Sequence, residues 1–197
     1  MKLKRKFYLS ANTLEIAREL LGKLLVVPAE SGERVSGMIV ETEAYLGEID
    51  KACHSYNNRR TKRTETMFAI GGTSYVTLIY GMYFQFNVVT GAVDSPHAVL
   101  IRAVQPVEGI EIMRKRRNTT PDKNLTSGPG KLCIAFGIDG SFKNADLLGD
   151  RVWLEDYKSF ESREISTGKR IGIDYAGEFA EKPWRFGVGE NQFVSRK

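Results

Sequence analysis

Two strand-like stretches that meet at a tight turn most strongly limit how this chain can fold. Residues 74–79 and 83–89 are rich in aromatic and β-branched side chains, and only a short segment around Gly81 separates them. Such residues favour β-strands, and so short a connection joins antiparallel strands rather than parallel ones. The pattern predicts a β-hairpin with large apolar residues at its tip.

The rest of the chain is predicted to form further strands with a few helices between them. Strands are predicted at residues 23–27, 35–45, 97–104, 152–154, 170–175 and 184–188, and helices at residues 14–21, 108–117 and 127–136. Strands follow one another without a regular strand–helix–strand alternation, which favours the α+β class. We expect one mixed domain over residues 1–197, with a curved antiparallel sheet, inserted helices, the protruding β-hairpin and a basic N-terminal arm at residues 1–6. Ser36 and Gly37 indicate a possible bulge near the start of the second strand.

The composition argues against several classes of protein. With 42% hydrophobic and 27% charged residues, the chain of 197 residues can bury a core without disulfides or metals. Its apolar runs are far shorter than the roughly 20 residues of a membrane span, and no signal-peptide segment follows the basic start. We therefore expect no membrane partner and a cytoplasmic location, associated with the nucleoid if the source is bacterial.

Cysteine and histidine give no indication of a metal site. Cys53 and Cys133 are too few for a disulfide framework or a zinc cluster, and we expect buried free thiols. His54 and His97 are the only histidines, and neither has ligand spacing with a cysteine or an acid. The sequence predicts no metal and no cofactor.

Basic residues are concentrated in three segments, at residues 2–6, 59–63 and 114–117, although the net charge is a modest +5. Any one of these segments could be an ordinary solvated surface. Three of them together favour a polyanion-binding face. This distribution is the first indication of a nucleic-acid partner.

Two acids and an arginine stand in strands where charges are costly. Alternation along residues 35–45 places Glu41, Glu43 and Tyr45 on one face of the strand, which could be an exposed face with ordinary surface acids. Arg102, however, lies within an apolar run at residues 98–104 and needs a carboxylate if it is buried. A carboxylate held against an arginine on rigid strands could bind and polarise a water molecule.

The tip of the hairpin carries bulky side chains where a turn would normally be polar. Tyr80, Met82 and Tyr83 flank Gly81, and exposing such residues is unfavourable unless they have a partner. Proteins that kink DNA insert apolar wedges of this kind between base steps. Asn87, which lies among apolar residues in the second strand, could be a satisfied core amide or could recognise a base edge.

Taken together, the motifs of this chain resemble those of the alkyladenine (3-methyladenine) DNA glycosylase family. The resemblance covers the chain from about residue 7 onward. It is carried by ETEAYLG at residues 41–47, HS at 54–55, the hairpin at 72–87, LIRA at 100–103, SGPGKL at 127–132 and AGEFAEKP at 176–183.

The resemblance implies a monofunctional DNA glycosylase of base excision repair. Such an enzyme flips alkylated or deaminated purines (3-methyladenine, 7-methylguanine, hypoxanthine and ethenoadenine) out of duplex DNA and hydrolyses the N-glycosidic bond. The implied catalytic residues are Glu43, as the base that activates water, and Arg102, which holds the water and the carboxylate. The implied base-binding residues are Tyr45 and His54, which stack on the base, Asn87, which discriminates against guanine, and the backbone carbonyl of Ile171.

The implied contacts with DNA come from two sets of residues. Tyr80 would fill the vacated position in the duplex with support from Met82 and Tyr83, and Arg59, Arg63 and Lys131 would contact the DNA backbone. We expect a monomer acting on double-stranded DNA. No lysine is expected in the base pocket, which favours hydrolysis over Schiff-base lyase chemistry. Thr77 departs from the family pattern, because a third stacking aromatic is expected at this position, and this puts the range of substrates in question.

Two other functions remain compatible with these features. A non-catalytic nucleic-acid-binding module of the same fold type would use the basic segments equally well, but it would have no use for a carboxylate such as Glu43 in a phosphate-lined groove. A hydrolase of small nucleosides would have no use for the large apolar residues at the tip of the hairpin.

Overall fold

An eight-stranded antiparallel sheet organises the protein in the computed structural model, which describes residues 1–119 and 121–195. Its strands are β1 (Leu24–Pro28), β2 (Arg34–Tyr45), β3 (Ser74–Ile79), β4 (Tyr83–Thr90), β5 (His97–Glu108), β6 (Trp153–Glu155), β7 (Ile165–Gly168) and β8 (Arg185–Val188). The order along the sheet is β3-β4-β5-β2-β1-β6, and β8 pairs with both β2 and β7. The predicted α+β class, antiparallel sheet and hairpin are confirmed.

The long strand β2 gives the sheet its curvature. One edge of β2 pairs with β5 over most of its length, while β1 and β8 pair with successive parts of the strand. The β2–β5 register shifts between Ser36 and Gly37, between Ile39 and Glu41 and between Glu41 and Thr42. Such irregularities bend a strand and increase its twist. The bulge predicted at Ser36 and Gly37 is therefore confirmed, and the other two irregularities flank the first of the two acids.

Among the described residues, four α-helices pack around this sheet: α1 (Arg5–Tyr8), α2 (Thr13–Glu19), α3 (Ile110–Arg117) and α4 (Pro129–Phe136). The side chain of Asn12 accepts a hydrogen bond from the backbone of Glu15 and so caps α2. Pro129 occupies the first turn of α4, where its missing N–H costs no hydrogen bond. The three predicted helices are confirmed with slightly shorter bounds.

The two faces of β2 have different surroundings, which positions the acids. Thr42 points towards α2, where its hydroxyl donates to the carbonyl of Ala17 over 2.8 Å. Glu41 and Glu43 point the opposite way because side chains alternate along a strand. Most buried apolar side chains form one cluster, and a smaller cluster around Met67, Phe68 and Tyr75 packs against Tyr45. This smaller cluster forms the base of the candidate site.

The strand predicted at residues 170–175 is wrong. This segment is an irregular loop that runs into a short 3₁₀ segment at Asp174–Phe179, and the strand of this region is β7 instead. Gly172 adopts a φ of +76°, which a β-strand does not accommodate. Arg170 forms a buried ion pair with Asp50. This side-chain contact holds the loop in place, and backbone pairing with a neighbouring strand does not.

The basic N-terminal segment is tied to the domain. Leu3 donates its backbone N–H to the carbonyl of Leu154, and Lys2 and Arg5 form ion pairs with Asp150 and Asp146. Half of the charge in this predicted arm is thus neutralised by neighbouring acids. Within the described part of the chain, no helix has both the length and the apolar character needed to cross a bilayer.

Candidate active site

Glu41, Glu43 and Arg102 form a buried charge cluster at the centre of the sheet. Arg102 Nε lies 3.4 Å from Glu41 Oε1, and a terminal guanidinium nitrogen of Arg102 lies 3.2 Å from Glu43 Oε1. Both carboxylates have no exposed surface, and the Arg102 side chain is 7% exposed. The pairing predicted from the apolar context of Arg102 is confirmed, and the alternative of an exposed acidic face is wrong.

Glu43 differs from Glu41 in its other partners. Its Oε1 accepts a hydrogen bond from the backbone N–H of Ile171 over 2.8 Å, and its Oε2 accepts one from the Tyr45 hydroxyl over 2.9 Å. Burial raises the pKa of the Glu43 carboxyl above its usual range, while Arg102 and the two hydrogen bonds oppose that rise. A buried carboxylate with a raised pKa is a stronger base than one in water.

Glu41 faces a different part of the protein. Its carboxylate accepts hydrogen bonds from Arg185 over 3.1 Å and from the backbone N–H of Ser195 over 2.9 Å. Arg185 lies on β8, the neighbour of β2, and Ser195 lies close to the end of the described chain. Glu41 is therefore a structural partner of Arg102 and of the C-terminal segment, whereas Glu43 is directed towards the cavity described next.

A cavity of about 440 Å³ opens beside this cluster. Its walls bring together six residues predicted for the site, namely Tyr45, His54, Arg63, Tyr80, Asn87 and Ile171. Glu43 and Arg102 do not line the cavity; Glu43 lies directly behind Tyr45 and Ile171, which do. The volume is within the range of roughly 300–1,000 Å³ that is usual for small-ligand clefts.

Ile171 contributes to the site through a backbone group other than the one predicted. Its N–H donates to Glu43, and the role of its carbonyl stays a prediction. The side chain of Asn87 lies in the cavity wall, and its amide donates to the carbonyl of Tyr75 over 2.9 Å. Asn87 is therefore a satisfied amide that nevertheless borders the cavity, so both interpretations of this residue retain support.

His54 is held by hydrogen bonds at both ring nitrogens. Its Nδ1 lies 2.9 Å from the Tyr75 hydroxyl and its Nε2 lies 3.2 Å from a guanidinium nitrogen of Arg63. Because a guanidinium only donates, Nε2 must accept and Nδ1 carries the proton. Burial, followed by the charges of Arg63 and Arg59, lowers the pKa of His54 to about 4. The imidazole is therefore neutral at physiological pH.

The hairpin tip exposes large apolar side chains next to the cavity. Tyr80 is 80% exposed, Met82 66% and Tyr83 46%. Three residues, 80–82, connect the paired Ile79 and Tyr83. Tyr80 and Gly81 have φ angles of 54° and 69°, and the N–H of Met82 donates to the carbonyl of Ile79, which is a β-turn with positive φ at both central positions, where Asn-Gly is preferred. A Cβ atom on Gly172 would lie 3.7 Å from the Tyr80 hydroxyl, so the Tyr80 side chain reaches across the mouth of the cavity to the loop that carries Ile171.

The three predicted backbone-binding residues occupy different positions. Arg59 is exposed and lines a cleft on the outer side of His54. Lys131 lies in the first turn of α4, beside a groove that Tyr80 and Tyr83 also line. Arg63 lines the cavity itself, where it contacts His54 and Thr77. Only Arg63 among the three therefore borders the same cavity as Tyr45.

A second buried ion pair lies beneath the site, and no motif in the sequence indicated it. Arg170 and Asp50 have no exposed side-chain surface, and Arg170 also donates to the carbonyl of Ala44. The guanidinium carbon of Arg170 lies 4.7 Å from the centre of the Tyr45 ring and 4.9 Å from that of Trp184. Arg170 thus supports the outer face of Tyr45, and only its place beside Ile171 in the sequence could have suggested this.

The chain is similar over almost its whole length to known proteins. The family model for methylpurine-DNA glycosylase (MPG) matches residues 6–192. The chain belongs to the methylpurine-DNA glycosylase family. It is 51% identical over 205 residues to a protein of Alkaliphilus oremlandii, with 100% of both chains covered. It is 48% identical to one of Desulfitobacterium hafniense over 204 residues (100% of this chain, 99% of the other) and 47% identical to one of Bacillus cereus over 207 residues (100% of both). All three bear the name "Putative 3-methyladenine DNA glycosylase".

Membership of the methylpurine-DNA glycosylase family confirms the resemblance carried by the sequence motifs. The family consists of DNA glycosylases, which are enzymes of DNA repair and have DNA as their substrate. The match runs through β2, the hairpin, β5 and α4, and so includes every element that contributes to the cavity and the charge cluster.

Proposed function

We propose that the protein is a monofunctional DNA glycosylase that flips alkylated or deaminated purines out of duplex DNA and hydrolyses their N-glycosidic bonds. The substrates would be 3-methyladenine, 7-methylguanine, hypoxanthine and ethenoadenine. The observation that carries this proposal is the position of Glu43. It is a buried carboxylate of raised pKa, and it lies directly behind two residues of a cavity that an exposed aromatic hairpin overhangs.

Extrusion is the first step, because the glycosidic bond is inaccessible inside the stacked duplex. Flipping a nucleotide costs a few kcal/mol, and less for a damaged or mispaired base. Tyr80 would occupy the vacated position, with Met82 and Tyr83 beside it, and all three side chains are already exposed. Arg59 and Lys131 would hold the phosphate backbone on either side.

The extruded purine would stack in the cavity between Tyr45 and His54. The neutral Nδ1–H form of His54 offers a flat ring without a charge, and Arg170 fixes the opposite face of Tyr45. Base–aromatic stacking contributes about 1–3 kcal/mol per base, which helps to offset the cost of extrusion. Asn87 would lie against the base edge and, by crowding the 2-amino group, discriminate against normal guanine. The cationic ring of 7-methylguanine is a better leaving group, so this base would still be excised.

Hydrolysis would use Glu43 as a general base. The Tyr45 hydroxyl would keep its hydrogen bond to Glu43 Oε2, and the attacking water would bind to a remaining lone pair of the same carboxylate. As the glycosidic bond breaks and its electrons move to the purine, the water attacks the anomeric carbon and its proton passes to Glu43. Arg102 keeps the carboxylate in place and in its ionised form. The sugar centre passes through an oxocarbenium-like state, as in glycoside hydrolysis.

The proposal includes three further expectations, which concern lyase activity, oligomeric state and location in the cell. Among the described residues that line the cavity none is a lysine, which supports hydrolysis without lyase chemistry. The enzyme is expected to act as a monomer, and its location is expected to be cytoplasmic. The abasic site that it leaves would pass to later steps of base excision repair.

Excision from defined duplexes tests the proposal. Purified protein is incubated with DNA that contains a single hypoxanthine or 7-methylguanine, under single-turnover conditions, and abasic sites are revealed by alkaline cleavage. We expect excision by the native protein, and retained binding with a loss of roughly 10²–10⁴-fold in rate for Glu43→Gln. A native protein that binds DNA but excises no modified purine would instead identify a non-catalytic binding module.

A further inference from the structure

Among the described residues that line the cavity, Arg63 is the one arginine, and no acid neutralises it. The nearby Arg60 forms ion pairs with Glu65 and Asp94. Within the described part of the chain, Arg63 forms no ion pair, although it borders a cavity that a purine would enter. Its guanidinium contacts neutral groups instead. Arg63 Nε lies 3.3 Å from the Thr77 hydroxyl, and Nη2 lies 3.2 Å from His54 Nε2.

These contacts hold the guanidinium at the wall of the cavity instead of directing it away from the protein. Thr77 is 6% exposed on β3 and lies opposite Gln85 of β4, which also lines the cavity. A larger side chain at residue 77 would occupy the position where Arg63 now docks. The small hydroxyl of Thr77 therefore makes room for a cation and fixes its orientation.

The Arg63 guanidinium retains N–H groups that can donate hydrogen bonds to a bound base. An arginine carries five N–H groups in a planar fork, and the contacts with Thr77, His54 and the Tyr75 hydroxyl still leave two of them. Such a fork matches a pair of adjacent acceptors, and the best-known pair on a purine is O6 and N7 of the guanine type. Hypoxanthine presents the same O6 and N7 acceptors without a charge. In 7-methylguanine, the methyl group removes the N7 acceptor and the ring is cationic.

We propose that Arg63 is a specificity-determining residue of the base pocket, which donates to acceptors such as O6 and N7 of a neutral purine and disfavours purines that are methylated at N7 or positively charged. This inference rests on the proposed function, because it requires a base to enter the cavity. It also reassigns Arg63 from the DNA backbone to the base. The departure from the family pattern at Thr77 then affects the choice of substrate. The stacking contact of an aromatic residue with the base is replaced by a hydrogen bond from Arg63 to the base.

The test compares two bases in one duplex sequence. Single-turnover excision rates are measured at saturating and subsaturating protein for hypoxanthine and for 7-methylguanine, with the native protein, Arg63→Gln, Arg63→Lys and Arg59→Gln. For Arg63→Gln we expect excision of hypoxanthine to fall roughly tenfold to a hundredfold, the range for a lost hydrogen bond to a charged donor. Excision of 7-methylguanine should stay constant or increase, because the repulsion is removed.

The other two variants distinguish the effect of the planar guanidinium on excision from the effect of its positive charge. Arg63→Lys keeps the charge but loses the planar fork, so hypoxanthine excision should fall while that of 7-methylguanine does not rise. Arg59→Gln removes an exposed charge outside the cavity and should weaken the excision of both bases by one common factor. Equal losses for both bases in Arg63→Gln would overturn the inference and return Arg63 to the DNA backbone. A native protein that excises neither base would instead contradict the proposed function.

Discussion

The Tyr45 hydroxyl donates to Glu43 Oε2 over 2.9 Å, so the residue proposed to stack on the base is also a direct partner of the residue proposed to activate water. This hydrogen bond lowers the pKa of Glu43 against the larger, opposite effect of burial. Tyr45 has its own pKa raised well above the usual range, first by burial and then by the charge of Glu43, so it remains a donor. The Tyr45 side chain therefore links the binding of the base to the basicity of Glu43.

Removing that phenol should shift the pH dependence of excision. In Tyr45→Phe the ring still stacks, but Glu43 loses a hydrogen bond that favours its charged form, so its pKa rises further. Glu43 must be ionised to act as a base, and the acidic limb of the pH–rate profile should therefore move to higher pH. Single-turnover rates across the acidic range measure this shift. Tyr175→Phe, which removes another phenol of the cavity without touching Glu43, should leave the limb in place.

Glu41 and Glu43 provide a matched pair of variants. Both are fully buried and both contact Arg102, but only Glu43 contacts residues that line the cavity. We expect Glu43→Gln to lose roughly 10²–10⁴-fold in excision rate and Glu41→Gln to lose less than about tenfold. Excision assays on protein whose folding is verified by circular dichroism measure the difference. Equal losses in two folded variants would contradict the separate role assigned to Glu43.

The charge state of His54 can be observed directly. Its pKa is about 4, lowered first by burial and then by Arg63 and Arg59, so the ring should stay neutral from pH 5 to 8 in the Nδ1–H form. Arg63→Gln removes one of these charges and should raise the pKa towards 6.5. NMR titration of the imidazole ¹⁵N signals gives both the tautomer and the pKa. His97, the second histidine, serves as an internal reference, because its lowered pKa has no contribution from Arg63. A protonated His54 at pH 7 would contradict the geometry.

The Arg170–Asp50 pair should dominate the electrostatic contribution to stability in this region. Neither side chain is exposed, and Asp50 also accepts hydrogen bonds from the backbone of Leu46 and Ala52. Removal of one partner leaves a buried charge without compensation, which costs about 3–5 kcal/mol. Urea unfolding should show this loss for Arg170→Met. Lys51→Met breaks an exposed pair with Glu178 and should leave the unfolding midpoint nearly unchanged. A similar midpoint for both variants would contradict the assigned role of Arg170.

The Arg170–Asp50 pair also shows where sequence patterns stop being informative. Arg102 was predictable as a buried ion-pair partner because it interrupts a regular apolar strand, and the hairpin because the residues of its two strands and Gly81 in its turn follow local preferences. Arg170 lies in an irregular loop, and the alternation at residues 170–175 suggested a strand that Gly172 and the contact with Asp50 prevent. Contacts between residues 120 positions apart depend on the packing of the whole sheet, which no local pattern encodes. The same reason explains why Arg63 could be assigned to a basic segment but not to the cavity wall.

The turn at the hairpin tip should show a conflict between stability and function. Tyr80 has a φ of 54°, an unfavourable conformation for a bulky residue, and its side chain is 80% exposed and has little packing to lose. Asparagine is favoured at this position of the turn, so Tyr80→Asn should raise the free energy of unfolding by about 0.5–1 kcal/mol. The same variant lacks the ring that fills the vacated position in DNA, so excision from a fully paired duplex should fall. The loss should be smaller when the damaged base is mispaired, because extrusion then costs less. Urea unfolding and single-turnover excision on paired and mispaired duplexes measure the two effects, and an unchanged excision rate on paired DNA would exclude Tyr80 as the wedge.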